Sequence, residues 1–185
     1  SMALLFYAGD PIRGHNLWRQ FMLRYGTPQP GGQALEPPIA ASAAAIAFNT
    51  TSEENQRAGI GNVAKMGLPV DTWWIDAGWS TGGFPEGMGT WEPDPDRYPK
   101  GLRPVGEAAH QAGLKFLLWF EPERVMPGTW LRTNHPEWLL TPADLPGRLA
   151  YQADWRLLDL GNPEALAWAT SIFSGMVSDY GVDIY

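Results

Sequence analysis

Three times along this chain, a helical pattern ends in a glycine and an apolar run follows directly. The runs read GLPVDTWWI, GLKFLLWF and GVDIY, and the glycines are Gly67, Gly113 and Gly181. A glycine just past the last helical residue is a common stop signal of a helix. Continuous apolar runs are typical of strands in a parallel sheet that helices cover. The pattern therefore predicts repeated helix–strand units and a parallel α/β fold.

The helices between these runs carry start signals of their own. Thr51 and Glu54 have the spacing of a capping box at the start of TSEENQRAGIGNVAKMG. Pro104 opens PVGEAAHQAG, and Asn162 caps a last helix that Pro163 starts. PPIAASAAAIAF, ahead of the first of these helices, reads as a weak strand of small side chains. The count is about four strand–helix units.

Two regions and two architectures follow from this pattern. Residues 1–35 predict one helix, GHNLWRQFMLRYG, and a linker, TPQPGGQ, whereas residues 36–185 carry the repeating units.

Such units build either a doubly wound open sheet or a (β/α)8 barrel. No glycine-rich phosphate fingerprint follows any strand, which counts against the nucleotide-binding form of the open sheet. A whole barrel needs about 250 residues. The barrel alternative therefore predicts a half-barrel of about four units.

Composition limits the partners. The net charge of −7 argues against nucleic acid or an anionic membrane. There are no cysteines, and the three histidines lack the spacing of a metal site, so we expect no metal and no cofactor. No apolar run approaches the roughly 20 residues that span a bilayer. The opening MALLFYAG lacks the features of a signal peptide, so we expect a cytoplasmic protein. The ten tryptophans are typical of carbohydrate-active proteins.

Candidate functional residues lie where predicted strands end, because ligands of both architectures bind at the carboxyl ends of the strands. Strand two ends in Asp76, within WWIDAGW. Strand three ends in WFEPE, which supplies Trp119, Glu121 and Glu123. Asp159 precedes the last helix.

Structural roles for these residues remain open. Asp76 could cap nearby backbone N–H groups, and Glu121 and Glu123 could pair with Arg124 or Arg132. We expect purely structural roles for three other aspartates, two in a proline-flanked turn and one beside the last helix: Asp94, Asp96 and Asp159.

The motifs WWIDAGW, GTWEPDPDRYPKGL, GLKFLLWFEPERV, HPEWLL, LLDLGNPEA and YGVDIY come in a familiar order. Over roughly residues 5–185 the chain resembles the barrel domain of the retaining α-galactosidases of glycoside hydrolase family 36, the melibiases. The resemblance implies the first half of that (β/α)8 barrel, and an α-galactoside as ligand.

The resemblance also implies roles for particular side chains. Asp76 would accept hydrogen bonds from galactose hydroxyls, and Trp119 would pack against the sugar. Trp79 would wall the pocket, with Glu121 close by. Hydrogen bonds to a charged carboxylate are strong, and the rejection of a sugar with a misplaced hydroxyl depends on them.

Three positions depart from the pattern of many members. A second aspartate often follows the first, and Ala77 stands there. A tryptophan often ends strand one, where SAAAIAF places Ala44 or a neighbour. An arginine often precedes LLDL, where YQADW stands with Arg156 nearby. The specificity for galactose therefore stays open.

Catalysis is the largest departure. Retaining glycosidases need two carboxyl groups about 5 Å apart. In the family, the nucleophile follows the strand that begins here as VDIY, and the acid/base comes from a later strand; Asp183 precedes the nucleophile position. We therefore expect this chain to be inactive alone and to bind sugar weakly or not at all. The alternatives are an active enzyme with an improvised pair, Asp76 with Glu121 or Glu123, and a non-catalytic self-associating module.

Self-association follows from half a barrel. Four strands leave two open edges and an inner face, and both attract other chains. The strands concerned carry five apolar side chains: Trp73, Ile75, Phe116, Leu118 and Ile184. Cyclic dimers are the commonest oligomers, so we expect a homodimer.

Overall fold

The structure, a computed structural model, describes residues 4–33, 35–43, 48–141 and 154–185. Ala44 and the first three residues of YQADW, which carry two of the departures from the family pattern, lie outside these ranges. The chain forms two compact units, Ser1–Pro37 and Pro38–Tyr185.

The first unit contains helix α1, Pro11–Phe21. The carboxylate of Asp10 caps it by accepting a hydrogen bond from the Ile12 amide at 2.8 Å. A π-helical turn, Met22–Gly26, continues it, and the backbone becomes extended at Thr27. The predicted helix and its end at Gly26 are therefore confirmed. A short 3-10 turn, Pro30–Gly32, follows.

The second unit is built on a parallel sheet. Its strands are β1 (Ala40–Ser42), β2 (Thr72–Ile75) and β4 (Lys115–Leu118), in the order β1-β2-β4. Both strand pairs are parallel. Ile184 adds a parallel bridge to Leu117 on the outer side of β4. The predicted order of parallel strands is confirmed. A short strand β3, Pro99–Leu102, leads into the second helix of this unit.

Three long helices connect the parallel strands: α2 (Glu53–Met66), α3 (Arg103–Gln111) and α5 (Pro163–Tyr180). Gly67 and Gly181 end α2 and α5 in the left-handed conformation, as predicted.

The predicted capping box of α2 is wrong by one residue. Ser52 and Asn55 form it: the Ser52 hydroxyl accepts from the Asn55 amide at 3.3 Å, and the Asn55 side chain accepts from the Ser52 amide at 2.9 Å. Thr51 is buried instead, and its hydroxyl bonds to the Tyr98 hydroxyl at 2.7 Å. The side chain that was expected to cap the helix is therefore part of the core.

A second, antiparallel sheet was not predicted. It consists of β5 (Arg124–Val125), β6 (Leu139–Leu140) and β7 (Arg156–Leu158), in the order β5-β7-β6. A short helix α4, Trp130–Asn134, and a 3-10 turn, Pro136–Trp138, lie between β5 and β6. This sheet lies in the chain between the end of β4 and the start of α5.

The two faces of the parallel sheet differ in burial. Most of the apolar side chains named for the strands of an uncovered inner face are in fact buried. Of the five apolar side chains named for these strands in the sequence analysis, four are at most 2% exposed: Trp73, Ile75, Phe116 and Leu118. Side chains alternate along a strand, so the neighbours Trp74 and Leu117 point the other way. They pair in register and are half-buried, as is Ile184. The incompletely covered face therefore carries these three residues.

Within the described ranges, no helix has the length and hydropathy needed to cross a bilayer. Nor do the described acidic and histidine side chains form a group of three or more that could hold a metal ion.

Candidate functional site

Two candidate residues lie at one edge of the parallel sheet, which we call the rim. Strands β2 and β4 are adjacent and parallel, and the Trp119 amide donates to the Ile75 carbonyl at 2.9 Å. Asp76 and Trp119 are therefore the first residues beyond neighbouring strands at their common carboxyl end. This placement is the expected one, whereas the sugar-binding role of each residue stays a prediction.

Asp76 is half-buried and only lightly engaged. One oxygen of its carboxylate, Oδ1, accepts a hydrogen bond from the Ala77 amide at 2.7 Å. No other hydrogen bond joins this carboxylate to the described residues. An ionised carboxylate has about four acceptor positions, so most of them remain available to a polar ligand.

Trp79 lies behind the rim. It is 1% exposed, and its indole Nε1 donates to the Trp119 carbonyl at 3.0 Å. Its ring packs against Phe120, with the ring centroids 5.3 Å apart. Trp79 thus holds the backbone at the end of β4. Because its ring is buried, it offers no exposed face that could form the predicted wall of a sugar pocket.

Trp119 is half-buried, and aromatic side chains from the loop after β2 fix it. The Phe84 ring meets it edge-on at a centroid distance of 5.6 Å, and Trp91 lies 6.4 Å away. Phe48 in turn meets Phe84 edge-on at 5.6 Å. Such edge-to-face pairs favour one orientation of the ring.

Glu121 pairs with an arginine, which was one of its two open alternatives. Its carboxylate accepts a hydrogen bond from the Arg124 guanidinium. The guanidinium also lies over the rings of Phe84 and Trp155, at 5.0 and 4.4 Å from their centroids. Glu123 is exposed, and its backbone carbonyl accepts from the Leu158 amide at 2.7 Å. The Glu121 side chain therefore holds the segment after β4 and has less capacity for a ligand.

Arg97 ties together the loops around the rim. Its guanidinium donates to the carbonyls of Thr51 at 3.0 Å, Gly78 at 2.6 Å and Ser80 at 3.1 Å, and to the Asp94 carboxylate at 3.1 Å. Burial raises the pKa of Asp94, but the hydrogen bonds and charge of Arg97 outweigh it, and the net pKa lies below its ordinary value. The carboxylate is therefore ionised at neutral pH, and the loop that leaves Asp76 is held at two carbonyls.

Asn49 clamps the other part of this loop. Its side chain accepts from the Phe84 amide at 2.8 Å and donates to the Phe84 carbonyl at 2.7 Å. Gly78 has a positive φ of 97°, and a Cβ there would lie 2.7 Å from the Phe48 carbonyl oxygen. The two loops approach each other too closely for a side chain at that position.

Sequence reasoning did not find several residues that shape the rim: Asn49, Phe84, Arg97 and the ring contacts of Arg124. Arg97 lies in the sequence between the turn residue Asp94 and the buried Tyr98. This position beside a predicted turn was the sequence signal available for its role in holding the loops. The pairing of Asn49 with Phe84 joins residues 35 positions apart and leaves no local pattern.

The remaining carboxylates have structural roles. Asp94 accepts from the amides of Asp96 and Arg97, as expected of a turn residue. Asp159 accepts from the Gly161 amide at 2.9 Å. Asp183 accepts from the Phe116 amide at 2.8 Å, near the start of β4, and its carboxylate lies 2.8 Å from the His110 imidazole. It therefore lies away from the rim.

Residues 15–185 match the melibiase family. The chain belongs to this family. The resemblance to α-galactosidases of glycoside hydrolase family 36 is thereby confirmed.

Individual α-galactosidases are similar to the chain in sequence and in structure. The α-galactosidase of Escherichia coli is 32% identical over 121 residues, which are 63% of this chain and 16% of that protein. The crystal structure of the Lactobacillus brevis α-galactosidase matches with a TM-score of 0.68 and 26% identity, over 81% of this chain and 20% of that one. The Thermus thermophilus α-galactosidase TtGalA, solved with p-nitrophenyl α-D-galactopyranoside, gives 0.68 and 25%, over 82% and 30%.

The chain spans between 16% and 30% of the length of these three proteins. Its parallel strands and connecting helices match part of their barrels, so the fold is a partial (β/α) barrel.

Proposed function

We propose that this segment forms part of the sugar-binding mouth of an α-galactosidase, with Asp76 and Trp119 as the galactose-contacting residues. The observation that carries the proposal is their position: a lightly engaged carboxylate and a half-buried indole leave adjacent parallel strands at the same edge. The family and the three α-galactosidase relatives support the choice of sugar.

The two side chains suit the two kinds of surface on a sugar. A pyranose has hydroxyls around its edge and C–H bonds on its faces, so a carboxylate accepts from the former and an indole ring covers the latter. Trp79 and the Glu121–Arg124 pair then act indirectly, because they hold the backbone and the ring neighbours of Trp119. Two contacting groups give weak binding, in the millimolar range, or about 4 kcal/mol.

By itself, the 185-residue segment is expected to hydrolyse no α-galactoside measurably. Retaining hydrolysis needs a nucleophile and an acid/base, about 5 Å apart. Of the rim carboxylates among the described residues, Glu121 is engaged by Arg124 and Glu123 is exposed. This arrangement disfavours an improvised pair with Asp76. A chromogenic α-galactoside assay tests the point, and turnover that Asp76→Asn abolishes would contradict it.

The binding proposal is tested by calorimetric titration with methyl α-galactoside, and with methyl α-glucoside as the epimer. We expect millimolar binding of the galactoside, weakened at least tenfold in Asp76→Asn, because the charged acceptor is lost. Asp96→Asn is the matched control, since Asp96 lies in the exposed turn and should bind like the wild type. Equal binding by Asp76→Asn and the wild type, or no binding by the wild type, would overturn the proposal.

A second candidate function is self-association through the inner face, defined as the face of the parallel sheet that carries Trp74, Leu117 and Ile184. All three are half-buried, and the buried Trp74 indole N–H finds no acceptor among the described residues. A buried indole donor usually has a partner, and a second copy could supply one. We propose a homodimer that buries more than about 1,200 Å² at this face.

Sedimentation equilibrium of the wild type and Leu117→Asp tests the homodimer. A charge on the inner face should give a monomer with an unchanged circular dichroism spectrum. Leu166→Asp is the control, because Leu166 is 50% exposed on helix α5. A wild-type monomer at tens of micromolar, or equal dissociation of the control, would contradict the proposal.

A further inference from the structure

Four aromatic rings form a cluster between helix α4, the 3-10 turn Pro136–Trp138 and helix α5. Trp130 lies parallel to Trp168, at a centroid distance of 5.7 Å and an interplanar angle of 10°. His135 lies parallel to Trp138, at 3.6 Å and 8°. His135 also contacts Trp130 at 5.2 Å, and Trp138 contacts Trp168 at 6.4 Å. Each ring therefore touches two others, and we call this group the aromatic platform.

The platform is anchored from both sides. Trp138 is only 7% exposed. Trp168 packs against two clusters of buried apolar residues, one that includes Phe116 and one that includes Leu131. The Trp130 amide donates to the Thr90 hydroxyl at 3.3 Å, and the Trp130 carbonyl accepts from the Asn134 side chain at 2.9 Å. Both the ring and the backbone of Trp130 thus have fixed partners before any ligand arrives.

Trp130 is nevertheless 40% exposed. Trp168 lies parallel to its ring at a centroid distance of 5.7 Å, which makes the stack an offset one, so the exposed area includes surface that the stack does not use. A large aromatic side chain that is fixed and yet open offers contact area at little further cost in conformational entropy.

Hydrogen-bonding groups lie near Trp130 in the sequence, and one of them is linked to its ring through His135. The His135 Nδ1 lies 2.9 Å from the Glu137 carboxylate, which is 61% exposed. The hydrogen bond from His135 is the main cause that lowers the pKa of Glu137, so its carboxylate is charged at neutral pH. The side chains of Thr133 and Asn134 are exposed on the same helix as Trp130. Aromatic rings with a few polar groups are the usual lining of a small-ligand site.

We propose that the aromatic platform is a second sugar-binding site, separate from the rim. One pyranose unit of an oligosaccharide stacks on the exposed part of Trp130, and Glu137 accepts hydrogen bonds from its hydroxyls. The ligand class is a neutral oligosaccharide, since the ring favours the C–H face of a sugar and the carboxylate excludes anionic groups. The proposal does not depend on Asp76 or Trp119.

The test follows the indole N–H signals of the 185-residue chain by nuclear magnetic resonance during titration with raffinose, a neutral trisaccharide. We expect the Trp130 signal to move in a saturable way, with a dissociation constant in the millimolar range. In Glu137→Gln the Trp130 signal should still move, with binding weakened several-fold.

Two further variants separate this site from other effects. Trp130→Ala should lose the binding that remains in an Asp76→Asn background. Trp18→Ala is the matched control, because Trp18 is 41% exposed and also stacked, on Phe21. Trp18→Ala should bind like the wild type.

Three outcomes would overturn the proposal. The first is a Trp130 signal that does not move, or that moves equally with glycerol. The second is a loss of binding in Trp18→Ala as large as in Trp130→Ala. The third is a Trp130 response that Asp76→Asn abolishes, since it would then report the rim. Failure of the rim proposal alone leaves the Trp130 response in place, so the two proposals fail separately.

Discussion

The two faces of the parallel sheet differ in how completely the chain covers them. On one face, Trp73, Ile75, Phe116 and Leu118 are at most 2% exposed beneath the helices. On the inner face, Trp74, Leu117 and Ile184 are only half-buried. Since strands β2 and β4 supply residues to both sets, the difference comes from what packs against each face and not from the apolar character of these strands.

Polar groups show the same contrast. Behind the covered face, the Trp73 indole donates to the Gln56 carbonyl oxygen at 2.9 Å, and the Gln56 amide donates to the Thr51 hydroxyl at 2.6 Å. Tyr98 completes this buried chain through Thr51. On the inner face, the Trp74 indole N–H is buried, and no residue that the structure describes accepts from it. The side chains named on the covered face are thus fully packed and hydrogen-bonded. Those on the inner face are only partly packed, and the Trp74 donor lacks a described partner.

The largest effect expected from this contrast is on neighbouring positions of β4. Phe116→Ala should lower the free energy of unfolding by about 3–5 kcal/mol, because it opens a cavity in the covered core. Leu117→Ala should cost about 1 kcal/mol or less at low protein concentration, since that side chain is already partly in water. Urea denaturation measures both, and equal losses would remove the contrast between the faces.

Alkaline pH should weaken the covered side. Burial raises the pKa of Tyr98 from 10.0 to about 12. The folded state therefore favours the neutral phenol, and this stabilisation is complete below the unfolded pKa and is lost as the pH rises through about 12. We expect a loss of about 2–3 kcal/mol over that window. Urea midpoints at several pH values measure it, and Tyr98→Phe should flatten the decline. An identical decline in Tyr98→Phe would contradict the assignment.

A smaller contrast concerns the adjacent tryptophans of β2. Trp73→Phe should cost about 1–3 kcal/mol, because it leaves the buried Gln56 oxygen without its donor. Trp74→Phe removes a donor that no described residue of the same chain accepts from, so at low protein concentration its effect should stay within about 0.5 kcal/mol. Thermal and urea unfolding of the pair measure the difference. A larger loss for Trp74→Phe would show that the inner face is the better packed one.

Much of the fold could be predicted from the sequence because its signals are local. The glycines after α2 and α5 adopt the left-handed conformation that stops a helix, and Asn162 caps α5 by accepting from the Glu164 amide at 2.9 Å. The apolar runs predicted parallel strands in their observed order.

The faces of the strands could not be predicted, because TWWI is apolar at neighbouring positions and alternation gives no direction. The capping box was missed by one residue, because Thr51 and Ser52 are both good caps and only the Tyr98 contact separates them.

The site was predictable only in part. Asp76 and Trp119 follow from the strand ends, but the burial of Trp79 depends on packing with Phe120, which lies in the segment after β4. The pairing of Glu121 with Arg124, three residues on, was one of the open alternatives. The contacts of Arg124 with the rings of Phe84 and Trp155 bring together distant segments, and no spacing along the chain encodes them.

The most direct test of the proposed function asks where a sugar binds. Methyl α-galactoside is titrated into the chain while the indole signals of Trp119, at the rim, and Trp73, under the covered face, are followed by nuclear magnetic resonance. We expect a saturable, millimolar shift of the Trp119 signal that Asp76→Asn removes, with the Trp73 signal unchanged. A Trp119 signal that stays fixed, or one that moves equally in Asp76→Asn, would contradict sugar binding at the rim.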